Sequence, residues 1–189
     1  MSTISLKSAV FPRTSVLNNA LLVATGTVFI SAMAQIALPI PGSPVPVTGQ
    51  TLAVLLIGTS YGATLGLTTL LTYLLLGIAG APVFASGGHG IERLTGATGG
   101  YIIGMVVASF ITGALAGRRW DQRFATAIPT MLLGNVIIFG FGVTWLHAVT
   151  DKSWSWAVSA GLTPFILGEV LKIAIAGTSL PLVWRKIQK

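Results

Sequence analysis

The chain has no cysteine, two histidines and four acidic residues among 189, and only 8% of it is charged. Without thiols there is neither a disulfide framework nor a thiolate metal site. His89 and His147 have no companion ligands in the sequence, so no metal or cofactor is expected. So few acids leave little material for catalytic dyads or triads, and no catalytic residue is assigned. A soluble chain carries about a quarter charged residues because its surface must face water. Here 53% of the residues are hydrophobic and the mean hydropathy is +0.85, which fits a surface that faces lipid. The net charge of +7 raises nucleic acid as a partner. The basic residues, however, stand singly between apolar runs and form no stripe with interleaved aromatics, so nucleic acid is not expected.

From Thr14 to Ile91 there is no Asp, Glu, Lys or Arg. About 20 apolar residues suffice to cross the hydrocarbon core, so several crossings fit in that stretch. Pro39, Pro41, Gly42, Pro44 and Pro46 divide it, because proline cannot continue a helix. The expected fold is an all-α integral membrane protein, one domain over residues 1–189, with six transmembrane helices at about 16–38, 48–61, 63–79, 98–117, 124–149 and 163–184. Outer loops are expected at 39–47, 80–97 and 150–162. The six-span reading follows from the tendency of short cytoplasmic loops to collect Lys and Arg. With a turn near Tyr61 and Gly62, eight basic residues (Lys7, Arg13, Arg118, Arg119, Arg123, Arg185, Lys186 and Lys189) fall inside and only Arg93 and Lys152 outside. Without that turn the bias is lost, so both termini are expected in the cytoplasm. Ala32-Met33-Ala34 resembles a signal-peptide cleavage site, but the apolar run continues to Leu38, and an intact first helix is expected.

Small residues let helices approach closely in a bilayer. Gly58, Gly62 and Gly66, Gly100 with Gly104, and Gly113 with Gly117 recur every fourth residue and read as internal seams. Ala20 and Ala24 form a similar pair near the inner end of the first helix, where a partner protein could reach them. An ionisable group inside a membrane is a site hypothesis by default. Glu169 and Lys172 sit at i and i+3 after the Thr163-Pro164 helix start, on one face, where each neutralises the other. They are either a structural ion pair or an acceptor and donor in a ligand pocket. The glycine-rich segment APVFASGGHGIERLTGATGGY lacks the Lys-Ser or Lys-Thr of a nucleotide loop, so ATP is not handled here. It offers Arg93, suited to a carboxylate or else paired with Glu92 or a lipid headgroup, and Tyr101. Gln50 faces the same outer space or caps its helix, and Asn135 reads as an interhelical hydrogen-bonder. Trp145, Trp154, Trp156 and Trp184 fall near expected interfaces, as an aromatic belt does.

Three segments together, VPVTGQTLAVLL, GAPVF followed by glycines up to TGGYIIG, and PFILGEVLK, resemble the signature segments of the BioY biotin transporters. These are substrate-binding S components of energy-coupling factor (ECF) vitamin transporters. The resemblance spans nearly the whole chain and departs at Glu169, where the family usually has aspartate, and at Ala97, where it usually has proline. It implies capture of biotin at the outer face of the plasma membrane for import. It also implies a transmembrane coupling protein and an ATPase pair as partners, with ATP hydrolysed only by the latter and with docking through Ala20 and Ala24. Glu169 would accept from the ureido N–H groups, Lys172 and Arg93 would take ligand oxygens, and Tyr101 would supply ring contact and a hydroxyl. Rival readings are an S component for another small vitamin, a membrane enzyme using Glu169 as base beside Lys172, and a scaffold without ligand.

Overall fold

The structure, a computed structural model, describes residues 5–10 and 15–187. Arg13 and Lys189, both placed above on the cytoplasmic side, lie outside the described residues. A one-turn helix α1 (Leu6–Val10) precedes α2 (Val16–Gln35), whose start is capped by Ser15 accepting from the amide of Leu17. α2 stops short of the expected 38. Leu38 precedes Pro39, which pushes it into extended backbone, and Ala37–Leu38 (β1) pairs antiparallel with Val47–Thr48 (β2) to close the proline loop.

The next two helices, α3 (Gln50–Tyr61) and α4 (Ala63–Ile78), meet at Gly62, which has φ +83°. No β-carbon is tolerated cheaply there, and the chain reverses so that Gly66 comes back against Gly58. The loop that follows carries a 3₁₀ turn at Ala85–Gly87 and the short α5 (Glu92–Thr95). Next come α6 (Gly99–Ala116) and α7 (Phe124–Thr150).

The segment 150–162, expected as a loop, contains α8 (Trp154–Gly161). Ser153 caps it by accepting from the amide of Trp156, and its Ala157 and Ala160 face inward. A polar, tryptophan-rich run reads as a connection, yet this one has a cap and a buried stripe. A 3₁₀ turn at Thr163–Phe165 then leads into α9 (Ile166–Ile187), so the last helix begins three residues later than expected.

α6 is the centre of the bundle, set against α3, α4 and α7. The glycine seams lie here: a β-carbon on Gly100 would strike Trp145, one on Gly104 would strike Ile138, and one on Gly113 would strike the Gly62 turn. α2 is the opposite case, with Val16, Leu17, Leu21 and Val28 more than half exposed. Ala20 and Ala24 share that exposed surface. Four stretches are long and apolar enough to cross a membrane: Val16–Gln35, Gly99–Ala116, Phe124–Thr150 and Trp154–Ile187; α3 and α4 are apolar but shorter. The chain is a mostly helical, multi-pass membrane protein.

Two expectations fail in detail. Asn135 is buried, but neither the nitrogen nor the oxygen of its amide has a hydrogen-bond partner among the described residues. Trp184 is buried at 3% exposure and donates to Asp121 at 2.5 Å, so it holds the α6–α7 connection rather than sitting among headgroups. Trp145 likewise donates to the carbonyl of Gly96 at 3.0 Å, while Trp154 is exposed and stacks on His147.

Candidate functional site

A pocket opens between the proline loop, the segment 84–98 and the first turns of α3, α6 and α9. Its empty volume is ≈ 650 Å³ including the mouth, but only ≈ 70 Å³ of it admits the centre of a water molecule. Glu169, Arg93, Tyr101 and Gln50 all line it, so four of the five residues singled out as ligand-binding in the sequence converge on one space.

The fifth, Lys172, is not in the lining. Its ammonium donates to the Thr48 carbonyl at 2.6 Å, to Thr51 Oγ1 at 3.0 Å and to Glu169 Oε1 at 2.6 Å. An ammonium has three N–H bonds, and all three are committed inside the protein. Thr51 Oγ1 in turn donates to Glu169 Oε1 at 2.9 Å. Lys172 therefore fixes the carboxylate, and in this structure it has no N–H left over for the pocket. The other oxygen, Glu169 Oε2, is buried and has no hydrogen-bond partner among the described residues. In a low-dielectric site a bare carboxylate oxygen is costly, and it is an acceptor waiting for a donor.

The remaining polar groups are partly spoken for. Tyr101 is 5% exposed and its hydroxyl donates to the Gly161 carbonyl at 2.7 Å, so its ring and not its hydroxyl serves the pocket. Gln50 Nε2 donates to Tyr73 at 2.8 Å, and its Oε1 accepts from Thr48 Oγ1 at 3.0 Å. The Gln50 amide is thus a buried strut at the start of α3 rather than an open hand. Arg93 is exposed at the mouth and forms no ion pair with Glu92, since the pair of Glu169 and Lys172 is the one salt bridge among the described residues. Its guanidinium rests beside Gly88, where a β-carbon would meet Nε at 2.5 Å.

Aromatic walls were not anticipated from the sequence. Phe84, Phe139 and Phe165 line the pocket with Met105, and Phe139 meets Tyr101 edge-on at 5.7 Å and Phe165 at 5.5 Å. Over the mouth lies the segment 84–88, clasped from α2 by Gln35: its Nε2 donates to the Phe84 carbonyl at 3.2 Å and its Oε1 accepts from the Gly87 amide at 2.9 Å. Ser86, in left-handed backbone at φ 56°, lines the pocket from this segment.

The site can therefore accept one or two N–H donors at its closed end, surround an apolar or ring-containing body, and meet an anion with Arg93 at its open end. The chain is similar to known proteins over most of its length. A biotin transporter, BioY2, of Lactococcus lactis is 36% identical over 165 residues, covering 84% of this chain and 87% of the relative. A probable biotin transporter BioY of Pyrococcus horikoshii is 37% identical, covering 82% and 89%. A crystal structure of the S component for biotin from an ECF-type ABC transporter superposes with a TM-score of 0.83 at 22% identity, covering 92% of this chain and 95% of that one, and so shares the fold. Residues 5–189 match the BioY family, and the chain belongs to it.

Proposed function

We propose that this protein is the biotin-binding S component of an ECF-type uptake transporter in the plasma membrane, capturing biotin on the outer side for import. The observation that carries the reading is the partnerless Glu169 Oε2 in the pocket lining. The ureido ring of biotin brings an N–H donor to such an oxygen, its bicyclic body suits the aromatic walls of Tyr101, Phe139 and Phe165, and its valerate carboxylate suits Arg93 at the mouth. The names of the relatives support biotin among small vitamins.

In this reading the chain crosses the membrane six times with both termini cytoplasmic. The reversal at Gly62 supports it, by making α3 and α4 two separate passes. The exposed Ala20 and Ala24 face of α2 is the docking surface for a transmembrane coupling protein, and an associated ATPase pair hydrolyses ATP. The narrow water-accessible space means that segment 84–98 must yield to admit a ligand, since small-molecule pockets offer roughly 300 Å³ or more.

Calorimetry on the purified chain in detergent tests the reading. Saturable, one-to-one biotin binding without turnover is expected, and an absence of binding overturns it. Replacing Ala20 and Ala24 with leucine should leave that binding intact and impair uptake in cells that carry the energising subunits.

A further inference from the structure

A second cavity lies at the far ends of α3 and α6 from the first, with ≈ 540 Å³ admitting the centre of a water molecule. Its charged lining residues are Lys7 and Arg118, and no acid lines it. Lys7 is only 8% exposed, and among the described residues it has neither a hydrogen bond nor an ion pair. The side chain is packed into the protein and lines the cavity, so its charge is left to whatever the cavity holds.

Three further features point the same way. The N-terminus of the 16-residue α4 opens into this cavity, with Ala63, Thr64 and Leu65 in its lining. First-turn amides have no partner inside their own helix, and no side chain caps these. Helix N-termini carry partial positive charge and bind phosphate groups. Asn19 also lines the cavity, and its Oδ1 is buried without a partner. Turned over, the same amide would offer N–H donors to an anion.

We propose that this cavity is a binding site for a phosphate group, with Lys7 and Arg118 supplying charge and the first turn of α4 and Asn19 supplying N–H donors. Several converging donors around one space suit the oxygens of phosphate better than a single halide ion. The group can come from the headgroup of an anionic phospholipid or from free phosphate. The inference does not depend on the biotin reading, because the two cavities share no residue.

The test uses the full chain in dodecyl maltoside, which has no phosphate, with thermal unfolding followed by its tryptophans. Phosphatidylglycerol and inorganic phosphate are added in separate arms, and sodium chloride at matched ionic strength is the control. The midpoint should rise by about 5 °C or more beyond the chloride control at saturation, as one ligand at 100 times its Kd gives a chain of this size. A rise with lipid alone identifies the headgroup as the source, and a rise with both shows that the phosphate group suffices. The double variant Lys7→Gln, Arg118→Gln should respond no more than the control. Asn19→Asp places a carboxylate in the cavity; it should raise the midpoint without additive and abolish the further response. No rise in either arm overturns the proposal, as does a full response in the double variant. If the double variant does not fold, a full response in Asn19→Asp overturns it.

Discussion

At the Arg93 end of the bundle Lys172 has three partners within 3.0 Å, one of them the carboxylate of Glu169, whereas at the Gly62 end Lys7 has none among the described residues. Both lysines have little exposed surface, but Lys172 is enclosed by protein groups while Lys7 lines a cavity wide enough for water. One is compensated by the protein itself and has become scaffold; the other is left to be compensated from outside. Asp121, in the connection between α6 and α7, extends the contrast. It has no exposed surface and, among the described residues, no cation partner, and Trp184 donates to its Oδ2. Burial without a counter-ion pushes its carboxyl up from 3.8 to about 6, against the lowering effect of the Trp184 hydrogen bond.

The largest effect should come from opening the compensated pair. Glu169→Ala leaves Lys172 buried beside an empty position, at a cost of about 3–5 kcal/mol in stability, and should reduce biotin affinity at least ~100-fold by calorimetry. Lys172→Met should weaken binding too, through a carboxylate that has lost its charge partner. If either variant binds biotin as the parent does, this end is not organised around the pair.

Next in size is Asp121→Asn, which keeps an acceptor for Trp184 and removes the charge. A folded-state pKa above the unfolded one means that the native state holds the proton more tightly, so this acid favours folding below about pH 4. That contribution fades as pH rises through about 6. At pH 8 the variant should therefore be more stable than the parent by up to about 3 kcal/mol, with the gap closing towards pH 4 in thermal melts. A pH-independent difference would mean that the carboxyl is not the titrating group.

Arg93→Ala should reduce biotin affinity by about 10–100-fold, the range for a hydrogen bond to a charged group, with little change in thermal stability because the side chain is exposed. Smallest of all, Lys7→Gln measured without phosphate removes a charge that has no counter-ion among the described residues, and should raise stability slightly, by up to about 1 kcal/mol. The sharp form of the comparison is a change of sign: Lys172→Gln, the same exchange at the other end, should lower it.

The bundle and half of its site were legible because they rest on local rules. Charge-free runs fix the apolar helices, prolines mark the loop before α3, and an i, i+3 spacing puts Glu169 and Lys172 side by side. What sequence could not supply were partners distant along the chain. Thr51 meets Glu169 across 118 positions and Lys172 across 121, and nothing in the local pattern of either helix announces that meeting. Lys172 therefore read only as a partner of Glu169 and a candidate ligand contact, and its bonds to Thr48 and Thr51 were not visible. Phe84, Phe139 and Phe165 were missed for a related reason. In an apolar helix an aromatic residue that lines a pocket has the same hydropathy as one that faces lipid, and only the fold tells them apart. Lys7 looked like an ordinary basic residue ahead of a span until the turn at Gly62 closed over it.

The full commitment of Lys172 also bears on which molecules are turned away. Around Glu169 the hydroxyl hydrogens of Thr48 and Thr51 are likewise in use, so the lysine and threonine side chains of this corner have no hydrogen left to give. A compound of the right shape whose ring presents only lone pairs, such as a cyclic carbonate in place of a urea, would set oxygen against oxygen there. Discrimination between such look-alikes then follows from counting protons, and widening the cleft would not relax it.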